Sequence, residues 1–422
     1  MELKYNLNDR PAVRELLLYS MQWFVLAVAV VITSLFIAVG SPAERVLYAQ
    51  KVFALMGVAT IVQVFWGHRM PIVVGPASVL LVGIITALAS QGDAVNTNKI
   101  YTSVMLGGGV VTLLALSGVL EKVQRVFTPR IVVVIMMLIA FTLATTIKNL
   151  IFPAADASRH GFGLWFMILG LPLMTLAAVR LRGVAKSLLV PLSLLVGCVI
   201  YYCIYGGFGD VVGSYGESEG RLLLPAVEFD GSMIVAFLFC YVALLINDIG
   251  SIQSLGAMLD ADGLQMRCRR GVGVTGLLNV AAGAMGVIGP VNYSMSPGVI
   301  ASSSCASRYA LVPAAVGLIV CAFVPQLIAV LSAIPDTVIG VILLYLMGTQ
   351  LAASFSMMTS GGKAVGFEDC LIIGLPVMAA LIFGIIPMQI IPALLRPIVG
   401  NGFVMGVILV ILLEHVIVRR KN

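Results

Sequence analysis

Charge is what this chain has least of. Only 10% of its 422 residues are Asp, Glu, Lys or Arg, whereas soluble domains carry about a quarter. With 60% of residues hydrophobic and a mean hydropathy of +1.08, most of the surface must face lipid. The longest polar stretch, 206–231, is too short for a soluble domain. Histidine is scarce too, and His68, His160 and His415 are scattered, so no metal site is expected. The seven cysteines (198, 203, 240, 268, 305, 321 and 370) form no C-x-x-C pair. Nearly all lie in apolar runs and read as small core residues, with no disulfide framework. No basic patch is interleaved with aromatics in a polar domain, so the net charge of +6 does not point to nucleic acid. Gly206-Gly207-Phe208-Gly209 follows no strand and fails as a phosphate loop, and no nucleophile–base pair suggests an enzyme or a cofactor.

What the chain has in abundance is apolar runs. Stretches long enough to cross a bilayer, about 17–25 residues, fall at 16–39, 46–66, 100–120, 130–150, 161–180 and 186–205. The second half adds 232–255, 271–288, 310–332, 335–356, 370–388 and 397–417. The first run is too long for a signal-peptide core, has no small-residue cleavage site after it, and reads as retained. Two more segments are short and broken: PIVVGPASVLLVGIITALAS at 71–90 and GPVNYSMSPGVIASSSCAS at 289–307. Each has an extended stretch, a Gly75-Pro76 or Pro297-Gly298 step, and then too few helical residues to span. Non-helical backbone at membrane depth persists only where protein buries it or a cavity needs it.

The two steps lie 222 residues apart, close to half of 422. The expected fold is therefore an all-α membrane protein of fourteen transmembrane segments, arranged as two inverted seven-span repeats with broken third and tenth spans. Seven is odd, so the second half enters from the opposite side. In such folds the two half-helix N-termini point at one spot near the midplane, where a solute is bound. Placing both termini in the cytoplasm puts eighteen of the 25 Lys and Arg inside, as the positive-inside rule asks. Asp210, Glu217, Glu219, Glu228 and Asp230 then fall outside. The expected setting is the cell (inner) membrane, with multiple passes.

Ala77 and Ser78 open the third-span half-helix, and Ser294, Met295 and Ser296 precede the tenth. Their backbone N–H groups are the expected solute donors, although Ser294 and Ser296 also suit helix caps. Met295 can pack on a flat ring or fill the core. Tyr293 can stack, hydrogen-bond or close the interface between the broken segments. Asn247, Ser251 and Ser254 stand at i, i+4 and i+7 and make one helical face polar. Alone such a stripe is helix glue, but opposite two broken helices it favours a solute site. Asp248 is the only acid well inside a span. An ionised Asp at a helix centre costs about 2.5–3.5 kcal/mol, so it is a candidate for ion coupling, unless it reaches water or Arg308 at the cytoplasmic end. Gly75, Pro76, Pro297 and Gly298 are scaffold residues, and Glu368 and Asp369 read as solvated interface charges. Asn292-Tyr293-Ser294 matches a glycosylation sequon but sits at membrane depth and is set aside.

Several of these segments resemble the nucleobase–ascorbate transporter family, the uracil and xanthine permeases. Met70-Pro71-Ile72-Val73-Val74-Gly75-Pro76-Ala77-Ser78 is similar to the family's strand-then-helix third span. Asn247-Asp248-Ile249-Gly250-Ser251 stands where the family has Glu-x-x-Gly. Tyr293-Ser294-Met295-Ser296-Pro297-Gly298-Val299-Ile300, followed by Ala306-Ser307-Arg308, is similar to its tenth-span signature. Ile334-Pro335-Asp336-Thr337-Val338-Ile339-Gly340 is similar to the start of its twelfth span, and Gln22 to a first-span Gln. The resemblance implies a core domain (1–127 and 231–332), a gate domain (128–230 and 333–422), short antiparallel strands in the broken spans, and commonly a homodimer. Substrate would lie between the domains, at Ala77, Ser78, Asn247, Ser251, Tyr293, Ser294, Met295 and Ser296. The implied function is secondary active transport of a xanthine-, urate- or uracil-like planar solute, with proton symport.

The chain departs from that family at two places. Asn247 stands where an acid usually binds the base, and Met295 where a polar or acidic residue is usual. One residue turns a helix by about 100°, so Asp248 does not simply replace the acid. Without that carboxylate, two helix N-termini, each worth about 0.3–2 kcal/mol to an anion, favour a weakly acidic or anionic planar solute. The alternative is an anion transporter or exchanger of the same fold, of sulfate, bicarbonate or carboxylate type. A passive channel would need a continuous polar lining, which the apolar spans do not supply.

Overall fold

The computed structural model describes residues 3–38, 41–91, 96–118, 120, 128–153, 157–181, 189–207, 222–293, 296–332, 334–359, 366–387, 390–392 and 395–417. The first half runs α1 (Val13–Ile32), α2 (Pro42–Phe65), β1 (Val74–Pro76), α3 (Ser78–Gln91), α4 (Thr97–Leu116), α5 (Pro129–Thr142), α6 (Ala144–Ile151), α7 (His160–Arg180) and α8 (Leu189–Tyr205). The second runs α9 (Gly231–Met258), α10 (Leu264–Met285), β2 (Pro290–Asn292), α11 (Ser296–Ser303), α12 (Leu311–Ala322), α13 (Pro325–Ser332), α14 (Asp336–Thr359), α15 (Phe367–Ile385), α16 (Arg396–Val399) and α17 (Gly402–Leu412). Among the described residues eight helices are long and apolar enough to cross a membrane, which makes this a multi-pass membrane protein.

Local chemistry sets the helix ends. Ser41 and Glu44 form a capping box on α2, with the Ser41 N–H donating to Glu44 Oε2 at 2.7 Å and Pro42 in the first turn. Two runs that read as single spans are split. The 130–150 run breaks at Leu143, where the Thr142 hydroxyl donates back to the Leu138 carbonyl at 2.7 Å and competes with the backbone ladder. The 310–332 run breaks before Pro325, which has no N–H to continue a helix.

Helices before residue 120 pack chiefly against those between 231 and 322, so that α4 lies on α10 and both α1 and α2 on α12. Helices between 129 and 205 pack chiefly with the chain after 336, as α5 does on α14, α15 and α17. The α4–α10 contact is a glycine seam: a Cβ on Gly108 would come within 2.7 Å of the Gly276 carbonyl oxygen. In the second group Arg130 joins three helices. Its Nη1 donates to Glu414 Oε1 at 3.1 Å, and its Nη2 stands 2.8 Å from Asp369 Oδ1, an ion-pair distance without hydrogen-bond alignment. Asp369 is therefore a paired charge at a helix junction.

The strands belong to the two broken segments. β1 and β2 pair antiparallel, with Val74 opposite Asn292, Gly75 opposite Val291 and Pro76 opposite Pro290. The two prolines face each other at the ladder's end, where no N–H is called for. Each strand leads into a short helix, 14 residues in α3 and 8 in α11. At 1.5 Å per residue neither covers the roughly 30 Å hydrocarbon core, so both begin in the protein interior at the strand pair.

Candidate functional site

Around the strand pair the backbone is held by the residues expected to bind solute. Ser296, fully buried, accepts from the Val73 N–H at 3.0 Å and donates to the Tyr293 carbonyl at 3.2 Å. The Tyr293 N–H donates to the Val73 carbonyl at 2.9 Å and its hydroxyl to the Pro76 carbonyl at 2.7 Å. Tyr293 thus closes the interface between the segments. The Ala77 N–H donates to the Gly289 carbonyl at 2.9 Å. Ala77 and Ser296 therefore fasten one broken segment to the other, and the expectation that the Ala77 N–H faces solute is corrected.

Donors remain at the next three residues. The Ala77 carbonyl accepts the first helical bond of α3, from Leu81, so the N–H groups of Ser78, Val79 and Leu80 find no acceptor among the described residues. Ser78 itself is half-buried. Pro297 and Gly298 fall in the first turn of α11, whereas Ser294 and Met295 lie outside the described residues.

On α9, Asn247 is half-buried and its amide makes no hydrogen bond among the described residues, while its carbonyl accepts the Ser251 hydroxyl at 2.8 Å. Ser251 is buried but Ser254 is exposed, so the polar stripe does not run inward along its whole length. Asp248 is fully buried, and its Oδ1 accepts from both the Asn292 N–H at 2.9 Å and the Asn292 amide at 2.7 Å. It reaches β2, not Arg308, which donates instead to the Val64 carbonyl at 3.3 Å.

Asn292 is the hub that the sequence did not disclose. Its Oδ1 lies 3.1 Å from His68 Nε2, and the Met70 N–H donates to His68 Nδ1 at 3.0 Å. Nδ1 is thereby an acceptor, so the neutral ring carries its proton on Nε2 and donates to Asn292. From α2, Gln63 Nε2 donates to Thr275 Oγ1 of α10 at 2.9 Å, and Thr275 stands beside the same Asp248 carboxylate. Helices α2, α9 and α10 thus converge on one strand residue. The signal was an Asn in an extended Pro-Val-Asn run, facing an intramembrane acid. The sequon match concealed it, and His68 read only as an isolated ring near a membrane edge.

Besides Asp369 Oδ1 at the distant Arg130 junction, two buried acceptors make no hydrogen bond among the described residues: Asp248 Oδ2 and Gln22 Oε1. An unsatisfied buried group costs about 1–3 kcal/mol. Gln22 is on α1 and Asp248 on α9, and these two helices both pack on α11. A solute offering N–H groups to the acceptors and a flat acceptor edge to the α3 N-terminus would satisfy both sets. Among the described residues no group of three or more His, Cys, Asp or Glu could hold a metal.

Burial lowers His68 from an ordinary 6.5 to about 3. The unfolded chain then binds the extra proton first, so stability holds above pH 6.5 and falls as pH drops below it. The melting temperature of the purified protein is expected to fall between pH 7 and pH 5. His68→Gln, which keeps a donor towards Asn292 but cannot titrate, should flatten that slope; an unchanged slope would assign it to other groups.

Comparison with known proteins places this geometry in a family. A solved transmembrane domain of a cyanobacterial bicarbonate transporter, BicA, superposes with a TM-score of 0.62 at 16% identity, covering 89% of this chain and 99% of that one. The structure of SLC26A9 gives 0.60 at 12% identity, covering 96% and 66%. At such identities the likeness shows the fold alone. The xanthine permease XanP of Escherichia coli is 24% identical over 449 residues, spanning 100% of this chain and 96% of that one. The uric acid permease PucK of Bacillus subtilis is 22% identical over 338 residues, 76% of each chain. A Clostridium perfringens chain that carries a purine-permease name is 23% identical over 281 residues, and the match spans 61% of its length. Residues 14–393 match the model of the permease family designated Xan_ur_permease. The chain belongs to that permease family.

Proposed function

We propose that this permease moves a purine-type nucleobase, xanthine or urate foremost, across the cell (inner) membrane by secondary active transport. The observation that carries the reading is a pair of buried acceptors without a hydrogen bond among the described residues, Gln22 Oε1 and Asp248 Oδ2 (the latter with the Thr275 hydroxyl nearby), on helices that flank α11, together with the N–H groups opening α3, which find no acceptor among the same residues. A xanthine-like ring has N–H groups for the first and carbonyls for the second. Asn247, half-buried with its amide free among the described residues, both donates and accepts, and unlike a carboxylate it does not repel an anionic base. In this reading Ser78, Ser251, Tyr293, Ser294 and Met295 belong to the same site. The names of XanP and PucK favour the same solute class.

The reading includes fourteen spans in two inverted repeats, both termini in the cytoplasm, and a homodimer. The 1–127 and 231–332 stretches act as a core moving against a gate of 128–230 and 333–422. The packing of helices into two groups supports this division. Proton symport is part of the proposal. In proteoliposomes, radiolabelled xanthine or urate should accumulate at least tenfold over sulfate and bicarbonate, and more so with an inward proton gradient. Movement of sulfate or bicarbonate alone would overturn the reading in favour of an anion exchanger.

A further inference from the structure

Where α2 ends and α10 begins, a second polar feature lies apart from the strand pair. A cleft of about 180 Å3 is lined there by Arg69, Arg267, Arg270, Asp262, Met266 and two glycines. Three guanidinium groups share this wall with one carboxylate. Arg267 is fixed by the backbone: its Nη1 donates to the His68 and Arg69 carbonyls at 3.0 and 3.1 Å, and its Nε to the Asp262 carbonyl at 2.8 Å. Arg69 and Arg308 both act on it as neighbouring like charges. Arg308 itself has a buried Nε with no acceptor. Arg69 holds a left-handed backbone, with φ of 56°, unusual for a residue with a side chain.

Clustered guanidiniums repel one another unless an anion joins them, and their planar forks match phosphate oxygens. The surroundings choose between kinds of phosphate. Trp66, 63% exposed, directly precedes the cleft, and Met266, 50% exposed, lines it. A free phosphate has no use for that apolar rim, whereas a lipid does, and an exposed indole beside basic residues is the pattern of a membrane interface. We infer that this cleft binds the phosphate of an anionic phospholipid, whose acyl chains run past Trp66 and Met266. The orientation proposed above makes it a lipid of the cytoplasmic leaflet; the binding itself does not depend on which solute is carried. Arg267 gives the site a route inward, because it grips the carbonyl of His68, whose ring bonds Asn292 of β2.

The test is a thermal-shift titration of the detergent-purified chain with phosphatidylglycerol, phosphatidylcholine or inorganic phosphate. A ligand that binds only the folded state raises its melting temperature. Phosphatidylglycerol should stabilise the wild type, and the other two should not. Its half-saturating concentration should rise about fivefold in Arg270→Gln and about 30-fold in the Arg69→Gln/Arg270→Gln double variant. Equal shifts from phosphatidylcholine, equal shifts from inorganic phosphate, or a titration unaltered by Arg270→Gln would each overturn the inference. Arg270 is exposed and makes no hydrogen bond among the described residues, so the single variant carries the test if the double one fails to fold.

Discussion

Asp248→Ala should abolish uptake and lower the melting temperature by several degrees, whereas Asp248→Asn should keep the melting temperature near that of the wild type while uptake falls, because an amide N–H replaces the Oδ2 acceptor. The alanine variant removes the acceptor for two donors of Asn292. Hydrogen bonds to a charged group are worth about 1.5–3 kcal/mol each, and the freed donors stay buried. β2 would lose its tie to α9. Asparagine retains an Oδ1 in the same place, and its new N–H groups have the Thr275 hydroxyl beside them. The pair of variants separates anchoring from coupling. Proteoliposomes with Asp248→Asn that still exchange labelled base but no longer accumulate it against a proton gradient would make Asp248 the proton carrier. Loss of both activities in a well-folded Asp248→Asn protein would show that the charge itself is needed for binding.

Gly75→Val is the second variant with a large expected effect. A Cβ on Gly75 would collide with the Val30 side chain and stand 3.0 Å from the Tyr293 ring. Valine adds two methyl groups to that overlap, and overpacking a filled interior costs about 1–3 kcal/mol. The strain would fall where α1, β1 and the Tyr293 loop meet, so uptake should drop to background while membrane insertion and purification yield survive. Val30→Ala in the same chain removes one of the two obstacles and should restore part of the uptake. If Gly75→Val alone transports at the wild-type rate, close contact between the segments is not needed for function.

Much of the architecture is legible in the residues, for plain physical reasons. Lipid solvent forces long apolar runs, and the breaks at Gly75-Pro76 and Pro297-Gly298 are visible because few other reasons place such steps at membrane depth. Thr142 and Pro325 split two runs that hydropathy joined, since a window of apolar residues is blind to a hydroxyl turned onto a carbonyl or to a missing N–H. The site was half legible. Asp248 announces itself as an acid among apolar residues. Its partner does not, because the chain between Asp248 and Asn292, 44 positions further on, contains the turn and helix that bring them together, and one-dimensional spacing carries no trace of that. The Ala77 N–H illustrates the converse: helix N-termini offer donors, but here the neighbouring segment, not a solute, takes the first of them.

The three-rung ladder between Val74–Pro76 and Pro290–Asn292 also limits how the two broken segments can move relative to each other. With Ser296 and Tyr293 riveting its sides, neither stub can slide past the other without rupturing several buried bonds at once. The two are therefore held as one unit, and under the proposed core-against-gate movement a bound molecule would be carried in an unchanging cradle.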